Sequence, residues 1–264
     1  MRPLIYALAA ITLMASTNVV ASFISMATGY SVTEGPDGLT LNVTSKNQGD
    51  EPAYEIQFEV QIGNHNYTST SVPQLGVNET TSTEFLIHDG FHLPGHYPVL
   101  IKIHYQDANR YPFTALSVGF YDFQNPVVSK VLIRAKDSSI PANGKGTMHY
   151  TVRNNDSVER DLVLKLHLPD ELATLKDSDS LTIGPKQSMS LQYTIENFSA
   201  LVNSGYAIAL VAEYEDGKSH YSAAGSGTIR IIEPNAMNVY LPWVVAAATA
   251  VFLAFLIIVR IRRK

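Results

Sequence analysis

The chain has 264 residues, with 24 acidic and 19 basic side chains and no cysteine. The absence of cysteine excludes thiol catalysis, zinc–cysteine sites and iron–sulfur clusters, and it leaves core burial as the source of stability. Residues 22–238 hold 24 acidic and 14 basic side chains, a net charge near −10, which argues against nucleic acid and anionic lipid headgroups as direct partners of this part.

The N-terminus has the pattern of a signal peptide. A short positive start precedes an apolar run of 11 residues, 4–14, and small residues lead to Ala21. Such a run is short for a membrane span and typical of a signal-peptide core. We predict a signal peptide over residues 1–21 with cleavage before Ser22. An uncleaved anchor is the alternative, and either sends the following chain through an export channel.

Residues 22–238 alternate between apolar and polar side chains as β-strands do. The clearest strand is YEIQFEVQI, residues 54–62, in which Phe58 faces inward and Glu59 outward. This period of two residues is typical of strands with one buried face, and turn residues separate such runs about every ten residues. The best helical pattern in this region is a single turn at residues 170–175.

The second half of this region repeats the first at an offset of about 107 to 110 residues. In each copy an alternating strand closes on an asparagine, Asn47 or Asn154, and a long alternating strand follows. Each copy later carries a Tyr-x-Asp pattern, at Tyr105 or Tyr214. One domain used twice explains this order. The predicted fold class is all-β, with two tandem immunoglobulin-like β-sandwiches, residues 22–125 and residues 126–235.

The repeat resembles CARDB-type domains, which are immunoglobulin-like, seven-stranded modules of bacterial and archaeal surface proteins. Asn47-Gln48-Gly49 and Ala53 match the N-x-G-x-x-x-A spacing of that family, whereas the second copy has Asp156 in place of the glycine. The resemblance implies adhesion, spacing or scaffold work, and it supplies no catalytic residues.

The strongest candidate for chemistry is the histidine-rich segment HDGFHLPGH. It contains His88, His92 and His96, with Asp89 and His104 nearby. Imidazole and carboxylate groups are zinc or copper ligands. The glycines and the proline of the segment prevent the helix on which this spacing would align the three rings. We therefore predict a surface turn and no metal site, with metal binding kept as the alternative.

No motif of an enzyme is present, because the chain lacks a nucleophile elbow, a Walker loop, a dinucleotide fingerprint and an HExxH pair. We predict no catalytic residues, no cofactor and no enzymatic activity. Tyr105 and Tyr214 are predicted to form strand-end corners by bonding to backbone, and Asp107 and Asp216 to begin hairpin turns.

Five Asn-x-Ser/Thr sequons are candidates for glycosylation, which would require a host with an oligosaccharyltransferase. They begin at Asn42, Asn66, Asn78, Asn155 and Asn197.

Residues 239–259 contain no charged side chain. As a helix they would reach about 31 Å, enough to cross a bilayer core of about 30 Å. Tyr240 and Trp243 stand at the front edge, where amphipathic rings favour the headgroup level. The basic tail, residues 260–264, marks the cytoplasmic side. We predict a single-pass transmembrane helix with the preceding domains outside the cytoplasm; a buried core helix is the alternative.

These patterns favour a membrane-anchored structural or adhesive protein that presents two sandwiches, arranged as a rod, for binding of protein or glycan. One alternative is an accessory subunit of an envelope or export complex, since Ala246, Ala250 and Ala254 form a small-xxx-small ridge for helix packing. The other is a metal-binding module. Glu233-Pro234 ahead of the span also leaves open removal of the helix by a sorting enzyme.

Overall fold

A computed structural model describes residues 23–36, 38–88 and 90–234, together with Val245, Ala246 and Thr249. The predicted signal peptide and basic tail lie outside the described residues, and so does the predicted span except for those three positions. The three are helical, and the Thr249 hydroxyl donates a hydrogen bond to the Val245 carbonyl at 2.8 Å. Within the described ranges, no helix has the length and apolar character needed to cross a bilayer.

The first half of the described chain forms eight strands. They are β1 (Met26–Gly35), β2 (Gly38–Asn47), β3 (Ala53–Ile62), β4 (His65–Thr68), β5 (Val72–Leu75), β6 (Thr80–Ile87), β7 (Gly95–Gln106) and β8 (Pro112–Phe123).

Nine strands follow in the second half. They are β9 (Val131–Lys136), β10 (Ser138–Pro141), β11 (Lys145–Asn154), β12 (Arg160–His167), β13 (Leu172–Thr174), β14 (Ser178–Ile183), β15 (Ser188–Asn197), β16 (Gly205–Glu215) and β17 (His220–Ile232).

The first sandwich packs the sheet β1-β2-β6 against a sheet in which β3 pairs with β4, β5 and β7, and β7 pairs with β8. This strand order is that of an immunoglobulin-type sandwich. Alternate side chains of the two sheets build one core, in which Phe58 is fully buried. The neighbouring Glu59 faces outward, as the alternation predicts.

The second sandwich repeats the plan. The sheet β9-β11-β15-β13 packs against the sheet β14-β12-β16-β17, and β10 joins the latter in parallel with β17. Its core uses residues from Val131 to Ile231 only. The predicted all-β architecture is confirmed, while the boundary near residue 125 stays a prediction. The helical turn expected at residues 170–175 is wrong, because a turn at Asp170–Glu171 leads directly into β13, where pairing with β15 satisfies the backbone.

Two buried asparagines explain why the repeat can be recognised in the sequence. The side-chain amide of Asn47 donates to the carbonyls of Glu51 and Leu75, and its oxygen accepts from the Gly49 N–H. A buried backbone carbonyl without a partner costs free energy, so an amide at this position stabilises the turn after the second strand.

In the second copy, Asn154 donates to the carbonyls of Val158, Ile183 and Gly184, and it accepts from the Asp156 N–H. Each asparagine therefore ties the strand end that it closes to a neighbouring turn of its own sandwich. The repeated asparagine is structural.

Candidate functional site: the interface between the two sandwiches

The two sandwiches pack side against side along β7, β8, β16 and β17. Four apolar residues are buried although they belong to neither core: Tyr97, Leu100, Ala209 and Val211. Val99 and Ile101 are in the first core, and successive side chains of a strand point to opposite faces, so Leu100 points away from that core. The outer faces of the two sheets therefore cover one another.

The sequence of β16 requires such cover. Its run Ile208 to Ala212 is apolar at every position, and alternate members, Ile208, Leu210 and Ala212, already fill the second core. Strands that are apolar on both faces are buried on both faces. This continuous run is the signal in the sequence that could have revealed the interface.

Near the start of β7 and β17 the backbones of the two sandwiches meet. The His220 N–H donates to the Pro94 carbonyl at 3.0 Å, and the Ser222 hydroxyl donates to the His96 carbonyl at 2.7 Å. A Cβ on Gly95 would lie 2.1 Å from the His220 carbonyl oxygen, so this approach requires glycine at 95.

The ring of His220 lies against Tyr97, with centroids 4.1 Å apart and planes 3° from parallel. Its nitrogens lie 3.1 Å from a Glu213 carboxylate oxygen and 3.4 Å from one of Glu215. Burial lowers the pKa of His220, but the two carboxylates outweigh that effect, and the net pKa is raised. The protonated imidazole is therefore favoured in the folded protein.

Further along β7, two basic side chains, Lys102 and His104, meet the carboxylates of Asp170 and Glu59. Lys102 Nζ lies 2.7 Å from Asp170, and the His104 nitrogens lie 3.3 Å from Asp170 and 3.0 Å from Glu59. Hydrogen bonding to Asp170, with help from Glu59, raises the pKa of His104 in spite of burial. The same contacts, with His104 first and Lys102 second, hold the pKa of Asp170 well below its usual value.

A buried carboxylate lies beside this ion-pair network. Glu171 is 2 % exposed, and its Oε1 accepts from the Thr114 N–H at 2.7 Å. Its Oε2 has no hydrogen-bond partner, and burial raises the pKa of the side chain. Close by, the Tyr111 hydroxyl donates to the Ser199 carbonyl. Thr114 and Tyr111 belong to the first sandwich, so both bonds cross the interface.

Two cavities flank Thr114. One, of about 500 Å³, is lined by carboxylates and aromatic rings that include Glu55, Tyr105, Phe113 and Phe198. The other, of about 670 Å³, lies between the start of β8 and the start of β16. The interface is therefore tight near the start of β7 and open beside Thr114.

The candidate metal ligands of the histidine-rich segment bond to separate partners. His92 Nε2 is 3.5 Å from the Asn64 amide, and His96 Nδ1 is 2.6 Å from an Asp122 carboxylate oxygen. His88 directly follows β6 and is exposed. Among the described residues, which exclude Asp89, no group of three His, Asp or Glu side chains is arranged to hold a metal ion.

The Tyr-x-Asp patterns have structural roles. The Tyr214 hydroxyl accepts from the Lys130 N–H at 3.2 Å, the backbone bond expected of a corner. Tyr105 instead stacks on Phe113, with centroids 5.5 Å apart.

The turn prediction for the two aspartates is confirmed. Asp107 accepts from the N–H groups of Asn109 and Tyr111. Asp216 accepts from the N–H groups of Lys218 and Ser219. In each copy the carboxylate thus organises the hairpin between the last two strands of the sandwich.

The sequons differ in accessibility. Asn66, Asn78 and Asn155 are exposed, and Asn42 is partly exposed beside Glu84. The Asn197 amide nitrogen donates to the carbonyls of Ala142 and Ala200, so a glycan there would break two hydrogen bonds. The exposed three are the better acceptors.

The interface holds two bodies together through apolar cover, stacked rings and paired charges. Its carboxylates are engaged by lysine, imidazole and backbone N–H groups, apart from Glu171 Oε2. Such an arrangement fixes the relative position of two sandwiches. The sequence analysis expected a two-domain rod, whereas the structure packs the two sandwiches side by side.

No family model and no curated protein sequence matches the chain. Among solved structures, the chain is similar to native α-2-macroglobulin of Escherichia coli, at 9 % identity and a TM-score of 0.31 over 79 % of this chain and 17 % of that one. It is also similar to red sea bream transglutaminase, at 12 % identity and a TM-score of 0.27 over 78 % of this chain and 31 % of that one.

A type I cohesin of Pseudobacteroides cellulosolvens is similar at 9 % identity and a TM-score of 0.24, over 41 % of this chain and 96 % of the cohesin. The chain thus spans about a sixth of the macroglobulin's length. Membership in the CARDB-type family stays a prediction.

Proposed function

We propose that this protein is a membrane-anchored, extracytoplasmic binding or scaffold protein that acts without catalysis or a cofactor. Two immunoglobulin-like sandwiches form one unit that presents its surfaces to a protein or glycan partner. Residues 239–259 hold that unit on the membrane, and residues 1–21 direct its export.

One observation carries the proposal: contacts between the sandwiches occur along most of β7, from Gly95, which pairs with His220, to His104, which pairs with Asp170. Interfaces with an apolar centre and paired charges at the rim restrict motion between domains. The ionisable side chains at the interface bond one another or the backbone, apart from Glu171 Oε2. A rigid body of this kind presents the loops and outer strands that face solvent.

The absence of native cysteine gives a direct test of topology. Single cysteines are introduced by Glu159→Cys, at an exposed position of the second sandwich, and by Lys264→Cys in the tail. A membrane-impermeant maleimide added to intact cells or spheroplasts should label the first variant. It should label the second only after lysis, because the tail is cytoplasmic in the proposal.

Two outcomes would contradict the proposal. Labelling of the Lys264→Cys variant alone in intact cells would reverse the orientation. Labelling of neither variant before lysis would place the sandwiches inside the cell. A chain that ends at residue 238 serves as the control for anchoring, since it should leave the membrane fraction and keep a β-type circular dichroism spectrum.

The alternative of an accessory subunit rests on the small-residue ridge at Ala246, Ala250 and Ala254. Small residues four apart let helices approach closely in lipid. In that case Ala250→Leu, which fills the ridge, should separate the protein from a co-purifying membrane partner. The same substitution should leave a plain lipid-facing anchor unaffected.

A further inference from the structure

The loop between β15 and β16 exposes three large apolar side chains within five residues. Phe198 is 81 % exposed, Leu201 38 % and Val202 36 %. Single exposed apolar residues are ordinary on protein surfaces, but a contiguous group marks a contact site. Phe198 also borders the cavity of about 500 Å³ at the interface, yet 81 % of its surface stays exposed.

The backbone of this loop is satisfied from within the protein. The Phe198 N–H donates to the Glu171 carbonyl, and the Leu201 N–H donates to the Tyr206 hydroxyl. The Asn197 side chain bonds the Ala200 N–H and its carbonyl at 2.7 and 3.0 Å. Because these backbone groups are paired, the loop can place its side chains in an apolar medium at a lower cost in unsatisfied groups.

The loop lies where the chain leaves the second sandwich. The Asn203 N–H donates to the Ile231 carbonyl at 2.8 Å, and the Ile231 N–H donates to the Ser204 carbonyl at 2.9 Å. β17 ends at the next residue, Ile232, whose side chain is 43 % exposed. The exposed apolar loop and the last residue of the sandwich thus form one surface.

The predicted membrane span begins close by. Six residues separate Ile232 from Val239, and an extended chain of that length reaches at most about 25 Å. β17 itself has 13 residues, about 40 Å as a strand, so the opposite end of the sandwich is much farther from the span. If residues 239–259 cross the bilayer, the loop is at the end that faces it.

We propose that Phe198, Leu201 and Val202 insert into the interfacial region of the bilayer that holds the span. The inference rests on the membrane anchoring proposed above. The inserted contact is apolar, in keeping with the acidic balance of the sandwiches, and it does not require anionic headgroups. Contact at two points, the span and the loop, fixes how the pair of sandwiches stands over the membrane.

Fluorescence of a single tryptophan tests the contact in the full chain. Trp243 is the only native tryptophan, so all variants carry Trp243→Phe. Phe198→Trp is reconstituted in phosphatidylcholine vesicles whose acyl chains are brominated at a shallow or a deep position. Insertion at the interface reaches about 5–10 Å, so shallow bromines should quench the emission more strongly than deep ones.

Val128→Trp is the matched control. Val128 is 85 % exposed and precedes β9, whose first residue pairs with Asn154, at the end of β11 remote from the loop. Its emission should not respond to brominated lipid. Leu201→Trp gives a second reporter at the loop, should Phe198→Trp perturb folding, and circular dichroism checks the fold of each variant.

The possible failures are distinguishable. A folded chain that does not float with the vesicles contradicts the span, and the proposed anchoring fails with it. A chain that floats while the loop reporters are quenched no more than the Val128→Trp control overturns the loop contact and leaves the anchoring intact. In that second case the exposed apolar side chains of the loop would contact a protein partner instead of lipid.

Discussion

The two sandwiches share a strand plan and differ at the turn that follows their buried asparagine. In the first, a Cβ on Gly49 would lie 2.3 Å from the Phe23 carbonyl oxygen. The N-terminal segment crosses the turn there, with the Gln48 N–H donating to Ser25 and the Asp50 N–H to Phe23. Glycine is required because another strand of backbone passes over it.

In the second sandwich, Asp156 holds the same position. Its carboxylate lies 2.6 Å from Arg160 and 3.2 Å from Lys130, and the pairing with Arg160 holds its pKa well below the usual value. The preceding segment also approaches this turn, since the Asn155 N–H donates to the Lys130 carbonyl. The Ser157 N–H, however, bonds the Asp156 carboxylate, where the Asp50 N–H of the first copy bonds a crossing carbonyl. The departure from the N-x-G spacing therefore follows from what lies over the turn.

The first strands differ for a related reason. β1 pairs with β2 along its whole length, and the Tyr30 hydroxyl bonds both the N–H and the carbonyl of Phe120 on β8. In the second sandwich two short strands stand in place of β1. β9 pairs with β11 in one sheet, and β10 pairs with β17 in the other. The copies thus share their cores and asparagine turns, and they differ where each meets other parts of the chain.

The largest expected effects lie in the shared cores. Phe58 on β3 pairs with Ile103, and Leu164 on β12 pairs with Ala212; both side chains are fully buried. Phe58→Ala should cost about 3–5 kcal/mol and Leu164→Ala about 2–5 kcal/mol in chemical denaturation of a chain of residues 22–238. Gln61→Ala is the control and should stay within about half a kcal/mol. Equal costs for Phe58→Ala and the control would show that the strand faces are misassigned.

The asparagine turns should differ in cost between copies. Asn47→Ala leaves two carbonyls without a donor and Asn154→Ala leaves three. Each unsatisfied buried group costs about 1–3 kcal/mol, so Asn154→Ala should be the more destabilising by denaturant midpoint. Gln48→Ala, at an exposed position, controls for changes in the turn. The reverse order would show that the number of carbonyls bonded by each asparagine does not set the cost.

The residue two positions after each asparagine, Gly49 or Asp156, distinguishes the copies further. Gly49→Ala should cost about 1–3 kcal/mol, because the N-terminal segment must move. Asp156→Asn should cost stability at neutral pH and less as the pH falls. The pKa of Asp156 is below the usual 3.8 in the folded state, so its contribution is present above that value and is lost on acidification. Thermal unfolding at pH 7 and pH 3 measures the stability of both variants. If Asp156→Asn lowers the melting temperature equally at the two pH values, the charge of Asp156 does not contribute as described.

The smallest expected effect is the pH response of the interface. The pKa values of His104 and His220 are raised above 6.5, so their contribution is present below that pH and is lost as the pH rises through the raised values. The melting temperature should therefore fall between pH 6 and pH 8, by about 2–4 °C for each kcal/mol lost.

His167 opposes this trend. Burial lowers its pKa to about 4, so its contribution is lost as the pH falls below 6.5. The difference between wild type and the double variant His104→Asn/His220→Asn isolates the interface from that effect. A difference that does not change between pH 6 and pH 8 would show that the two histidines do not stabilise the interface by charge.

The strand pattern, the repeat and the two aspartate turns could all be predicted from the order of residues in the chain. Strict alternation, as in residues 56–62, indicates a strand with one face in a core, although it did not reveal the register shift between Tyr54 and Gln57. The asparagines at 47 and 154 could be matched because each sits at a fixed offset from its strand. These features are local, since each depends on residues that are near one another in the chain.

How the two sandwiches pack together, and which of their outer strand faces are covered, could be read only from the tertiary structure. Glu59 alternates outward, as predicted, yet it pairs with His104 beside Asp170 of the other sandwich. His220 and Tyr97 stack across 123 positions of sequence, and no local pattern could have joined them. Alternation tells which side of a strand leaves its own core, but whether water or a second sheet covers that side depends on packing between distant segments.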